Sequence, residues 1–133
     1  MSVTYGMVIS AKLDLLTGVH QPGDVYMVAL YGNDAELNQF TTVYTPVGEV
    51  KGKGYIAGGK RLAGYEASIE GTRAELSWDG LRWPNASIRA RSALVYNKSK
   101  GNRAITILDL GEESFSTNGN WDLVLPDAVV WIG

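Results

Sequence analysis

The chain predicts an all-β fold, an antiparallel β-sandwich of jelly-roll type with one short N-terminal helix, and three observations carry that prediction. Roughly eight short apolar or alternating segments recur at regular spacing. Helical periodicity is confined to one short stretch near the N-terminus. Sixteen glycines against four prolines supply the turns that such a fold needs. Two packed sheets satisfy this pattern, and a small closed barrel is the alternative. At 133 residues the whole chain, 1–133, reads as a single domain able to bury its own core.

Met7, Val8, Ala11, Leu15 and Leu16 follow near-helical spacing, so a short helix is expected over 7–16, ending near Gly18. The turn cluster His20 to Asp24 leads into an apolar strand over 25–31, VYMVALY. Residues 36–40 read as one polar helical turn. TTVY, over 41–44, is a short edge strand stopped by Pro46.

The stretch GKGYIAGGKRLAG, over 52–64, holds five glycines and joins this polar third to the densest β pattern. Such a run marks tight turns or close backbone approach. Beyond it, 62–70 and 73–78 flank Gly71-Thr72 as a hairpin, with Ala74, Leu76 and Trp78 sharing a buried face. IRARSALVY, over 88–96, is the strongest strand, with Ile88, Ala90, Ser92, Leu94 and Tyr96 on one face and an outer half that exposes Arg89 and Arg91. A polar tip, NKSKGNR, connects it to AITILDL over 104–110 as a second hairpin. Residues 111–120 read as turn, and 121–125 and 128–132 are closing strands separated by Pro126-Asp127.

The formal charge of −2 and isoelectric point near 5.3 argue against direct nucleic-acid binding, which needs concentrated Lys and Arg. No apolar run reaches membrane-spanning length, so no membrane partner is expected. The start, MSVTYGMVISAKLDLL, lacks the basic-then-apolar order of a secretion signal, so synthesis in a cytoplasm is expected. The chain has no cysteine, which removes disulfides, thiolate nucleophiles and thiolate metal sites.

The chemistry-bearing candidates are few. Gly59-Lys60 superficially resembles a phosphate cradle, but Arg61-Leu62 follow it into a β pattern where a phosphate loop needs Ser/Thr and a helix. His20, the single histidine, lies near Asp14 and Asp24 in sequence at spacings that fit no metal motif, and it reads as a solvated turn residue; no metal or cofactor is expected. No G-x-S-x-G elbow is present, and the adjacent Glu112 and Glu113 point apart, so no enzyme is expected. Trp78 and Trp121 sit in strand patterns and read as core, whereas Trp83 and Trp131 fall where a rim or a sugar platform is expected. Lys98, Lys100 and Arg103 at the hairpin tip, with Arg89 and Arg91, form a basic group able to meet an acidic protein surface.

The order of motifs, GKGYIAGGKRLAGY, SWDGLRWPNA, IRARSALVYN, AITILDLG and SFSTNG, resembles small virion structural proteins of tailed double-stranded DNA phages, in particular jelly-roll capsid cement or decoration proteins. The resemblance runs from about Gly52 to the C-terminus, with a weaker echo at AKLDLLTG. It implies a non-enzymatic protein on the virion surface, made in the bacterial host's cytoplasm. Such a protein, as a dimer or trimer, clamps neighbouring major capsid protein subunits against the pressure of packaged DNA. A tail or head-tail position and a sugar-binding virion domain are the alternatives. The contact residues expected for this role are Tyr55, Gly58, Gly59 and Lys60 in the glycine stretch, Lys98, Lys100 and Arg103 at the tip, and Trp83 and Trp131.

Overall fold

Runs of β-branched and aromatic residues between turn clusters form strands here, and their pairing places long stretches of sequence on both faces of one central sheet. The computed structural model describes residues 6–132, together with the backbone of Ser2–Val3. In chain order the elements are β1 (Ser2–Val3), β2 (Gly6–Met7), α1 (Ile9–Leu16), β3 (Tyr26–Tyr31), β4 (Glu36–Leu37), β5 (Lys60–Arg61), β6 (Glu66–Glu70) and β7 (Arg73–Ser77). They continue with β8 (Leu81–Ala86), β9 (Arg89–Asn97), β10 (Arg103–Phe115), β11 (Gly119–Leu123) and β12 (Val130–Ile132). The fold is all-β with one short helix, as the sequence predicts.

A five-stranded sheet, ordered β2-β10-β9-β3-β5, carries the structure. The long hairpin β9–β10 is local in sequence, but β3 beside β9 and β2 beside β10 come from the N-terminal third. Two smaller antiparallel sheets, β11-β8 and β12-β7-β6, complete the strand layers, and β1 pairs with β4 in parallel. On one face of the central sheet Tyr26, Val28, Leu30, Ala93, Val95 and Ile105 meet Trp78, Trp83, Trp121 and Leu123. On the other face Ala29, Tyr31, Leu94, Tyr96 and Ile107 meet Val8 and Ala11 from the α1 region and Ala35 and Leu37. Alternate residues of β3 thus enter opposite cores, the pattern of a strand covered on both sides.

Several local expectations are corrected. The helix starts at Ile9, two residues late, because Met7 pairs with Thr106 in β2. The 36–40 segment is not a helical turn: Leu37 is buried in the second core, and Glu36–Leu37 extend to reach it. The 41–44 segment makes only an isolated bridge, Val43 with Arg103. Gly111 to Phe115 belong to β10. There a register shift sets Leu110–Glu113 against the single residue Arg91 before Ser114 and Phe115 re-pair with Ala90 and Arg89. Near this irregularity β9 also changes faces, so Ile88 and Ala90 join the first core while Leu94 and Tyr96 join the second, against the single face expected.

β8 is a strand that the sequence pattern does not predict. Pro84 and Asn85 oppose the single residue Asn120, a bulge at which proline's missing N–H costs no ladder bond and Asn85 adopts φ of 50°. The Gly71-Thr72 hairpin forms as expected but begins at Glu66 rather than Leu62. Its anticipated buried face is partial, because Ala74 is exposed and Leu76 half-buried.

Candidate functional site

The glycine stretch is shaped from beneath by Glu49. This buried carboxylate accepts the Tyr44 hydroxyl at 2.6 Å, the Tyr55 hydroxyl at 2.5 Å and the Gly58 backbone N–H at 2.8 Å. Tyr55 Oη in turn accepts the Leu30 N–H of β3 at 2.9 Å, so one phenol ties the loop to the central sheet. Burial pushes the Tyr55 and Tyr44 phenols up, and their bonds to Glu49 push them further, which keeps both as O–H donors. The Tyr96 hydroxyl donates to Gly58 O at 2.5 Å, closing the loop from above.

Gly58 and Gly59 sit at a turn with φ of 97° and 84°. Gly59 lies flat on β3: a Cβ there would meet the Val28 carbonyl carbon at 2.6 Å and Ala29 Cα at 2.8 Å, closer than real side chains come. Close approach to neighbouring backbone also constrains Gly52, against Ser87, and Gly54, against Ala86, and sequence spacing alone does not say which of the five glycines carry that requirement. Lys60 directs its Nζ to the Arg82 carbonyl and lies 5.1 Å from the centre of the Trp83 ring. Its charge is held against the protein's own surface. Tyr55, expected as an interface contact, is a buried residue of the first core in this chain.

A second polar cluster joins α1, the turn after it and the β9–β10 tip. Arg103 donates to Asp14 Oδ1 at 2.9 Å, and Lys100 donates to both oxygens of Asp24 at 2.8 Å. Asn97 Nδ2 lies 2.9 Å from His20 Nδ1 and 2.8 Å from Asp24 Oδ2, while His20 Nε2 faces Asp14 Oδ2 at 3.7 Å. Because the Asn97 amide donates, the arrangement assigns the imidazole proton to Nε2, towards Asp14. The His20 side chain is only 3% exposed, so the expected solvated turn histidine is a buried one. Burial lowers its pKa, opposed by the Asp14 and Asp24 charges. Hydrogen bonds from Asn97 and Lys100 hold Asp24 down to about 2.

As a proton-transfer site this cluster is poorly placed, since Nδ1 is engaged by Asn97 and Nε2 is buried against Asp14. Its evident work is to pin three segments together. The tip cations therefore separate: Lys100 and Arg103 are ion-paired within the chain, and Lys98 is exposed. Arg89 and Arg91 are likewise paired, with Glu113 and Asp109, each at 2.7 Å. A basic face aimed outward is not what these residues build.

The tryptophans divide as well. Trp78 and Trp121 are buried, as expected, but so is Trp83, which packs edge-to-face on Trp121 at 5.7 Å and parallel to Tyr55 at 6.2 Å. The expectation that Trp83 lies at a rim is corrected: the bulge at Pro84 turns its ring inward. Trp131 is half exposed, and the Arg73 guanidinium lies 4.9 Å from its ring centre. No family model, characterised protein or solved structure matches this chain.

The sequence pattern does not reveal how α1 is oriented. The helix splits its apolar residues between two faces: Ala11, Asp14 and part of Leu15 face the protein, while Ile9, Leu13 and Leu16, at i, i+4 and i+7, face solvent. A signal is present, because Asp14 sits among apolar residues at the spacing that brings it to the inner face, but that burial is made tolerable by Arg103, from distant sequence, with His20 of the following turn beside it.

Proposed function

We propose that the protein is a non-enzymatic virion structural protein, a capsid cement protein that binds the assembled major capsid lattice and adds its binding free energy to the shell. One observation carries this reading beyond the motif order. Twelve large apolar side chains among the described residues are exposed, on α1, β12, the β6–β7 hairpin, the end of β10 and several loops. Scattered single apolar residues are ordinary on a protein surface, but a helix with its apolar stripe outward is a surface waiting to be covered. The buried polar clusters, by contrast, are consumed in holding loops and so leave little chemistry directed at a small substrate.

A ligand that binds only the assembled lattice stabilises it by mass action, and no catalytic group is needed. The contact surface is better assigned to exposed positions, Lys98, Trp131 and the α1 stripe, than to Tyr55, Lys60, Lys100, Arg103 or Trp83, which are occupied within the chain. The sugar-binding alternative rests on Trp131 alone, with one approach to its ring taken by Arg73. Binding is tested by sedimenting the purified protein with expanded shells of the phage that encodes it. Saturable co-sedimentation is expected, and passage of all the protein into the supernatant at every shell concentration would refute the proposal.

A further inference from the structure

We infer that the outward face of α1 together with β12 is a self-association surface, on which a second copy of this chain docks about a two-fold axis. The helix presents Ile9, Leu13 and Leu16 at 44, 62 and 86% exposure, and β12 adds Trp131 and Ile132 at 51 and 56%. Between helix and strand runs an apolar groove of about 350 Å³, lined by Met7, Lys12, Leu15, Leu16, Trp131 and Ile132. A second groove continues past Trp131 and Ile132 towards Ala67 and Ser68 of β6. The five exposed side chains leave on the order of 500 Å² of apolar surface in water, at the top of the range for the largest patch on a monomer and most of the roughly 800 Å² per partner of a standard interface.

Shape and charge both select a second copy as the occupant. The patch holds a ridge, the α1 stripe, beside a groove of matching chemistry, so a two-fold operation lays the ridge of each copy in the groove of the other. Arg73 and Glu75, ion-paired to each other, lie beside Trp131 at the middle of the patch, and the charges unpaired among the described residues lie towards its ends: Lys12 borders the groove at the helix, and Glu66 and Glu70 are exposed on β6 beyond the second groove. The same operation brings each Lys12 towards the acids of its partner. Pairing through the β6 edge instead is disfavoured, because antiparallel alignment about Ser68 sets Glu66 of one copy opposite Glu70 of the other.

The biological use of this face rests on the cement reading, but its existence does not. Sedimentation velocity of the full chain from about 1 to 100 μM gives the test, with the double variant Leu13→Glu/Leu16→Glu and the control Val124→Glu, whose side chain is equally exposed elsewhere. The wild type and the control are expected to form dimers in this range. The double variant should be monomeric throughout, a loss of at least about 100-fold in affinity, with an unchanged thermal midpoint when compared with wild type diluted to its monomer. A wild type that stays monomeric at 100 μM overturns the inference, and so does a double variant that dimerises like wild type. If the monomeric wild type binds shells and the double variant does not, the face belongs to the capsid and the inference fails while the cement reading stands. A wild-type dimer that does not bind shells supports the inference while the cement reading fails.

Discussion

Substituting Gly59 and Gly58 separately by alanine isolates the packing of the glycine stretch. Both residues have positive φ, 84° and 97°, so each alanine incurs the left-handed strain of an L residue, about 1–2 kcal/mol. At Gly58 little else changes, because a Cβ would meet its nearest neighbour, Tyr96 Oη, at an ordinary 3.5 Å. At Gly59 the Cβ would overlap the Val28 carbonyl and lie 2.8 Å from Ala29 Cα. These are main-chain atoms of β3, which β5 and β9 hold in register at Val28, so relief requires the loop to lift or a central strand to shift. Overpacking against fixed backbone adds about 1–3 kcal/mol, bringing Gly59→Ala to about 2–5 kcal/mol. Urea unfolding followed by tryptophan fluorescence should therefore give a small midpoint shift for Gly58→Ala and a shift about twice as large for Gly59→Ala. With roughly 4 °C per kcal/mol for a domain of this size, the thermal midpoints should separate by about 4–12 °C. Equal losses for the two variants would show that backbone strain alone sets the cost and that the contact with β3 is not tight.

Three further outcomes follow. Tyr55→Phe should cost about 2–3 kcal/mol in urea unfolding, because it strands the buried Leu30 N–H and removes a donor from the Glu49 carboxylate, whereas Trp131→Ala should cost under about 1 kcal/mol and Trp83→Ala about 3–5 kcal/mol. Stability should decline as pH falls below 6.5, since burial lowers the folded-state pKa of His20 and the unfolded chain takes up that proton first; His20→Gln should flatten this part of a urea-midpoint profile measured from pH 7.5 to 5. Asp24, depressed from 3.8 to about 2, contributes stability that is complete above the unfolded value and lost as pH falls through the folded one, so Lys100→Met should move the acid-unfolding midpoint to higher pH, and an unmoved midpoint would show that the Lys100 pair is not formed in solution.

How much of this is legible in the sequence follows from which forces are local. The β9–β10 and β6–β7 hairpins are readable because alternation and turn residues lie within a few positions of each other. β8 is not, because Pro84 argues against a strand unless a bulge against Asn120 is known, and the paired residues of β8 and β11 lie more than thirty positions apart. The side-chain faces of β9 are misjudged for the same reason: the face change lies opposite an irregularity in another strand. Among the candidate contacts, Gly58 and Gly59 can be placed at a turn from composition alone. The occupation of Lys60, Lys100 and Arg103 depends on partners 22, 76 and 89 residues away, which no spacing reveals. His20 reads as solvated because turn residues usually are; its burial is imposed by Asn97 and Asp14 closing over it.

Co-sedimentation of the purified chain with expanded and unexpanded shells of the phage that the proposal assigns it to measures the central proposal, that this is a cement protein reading an assembled lattice. Saturable binding to expanded shells, with little to unexpanded ones and a raised disruption temperature for the occupied shells, is the predicted result. Equal recovery in the supernatant with and without shells, at concentrations well above those of the shell subunits, would contradict it.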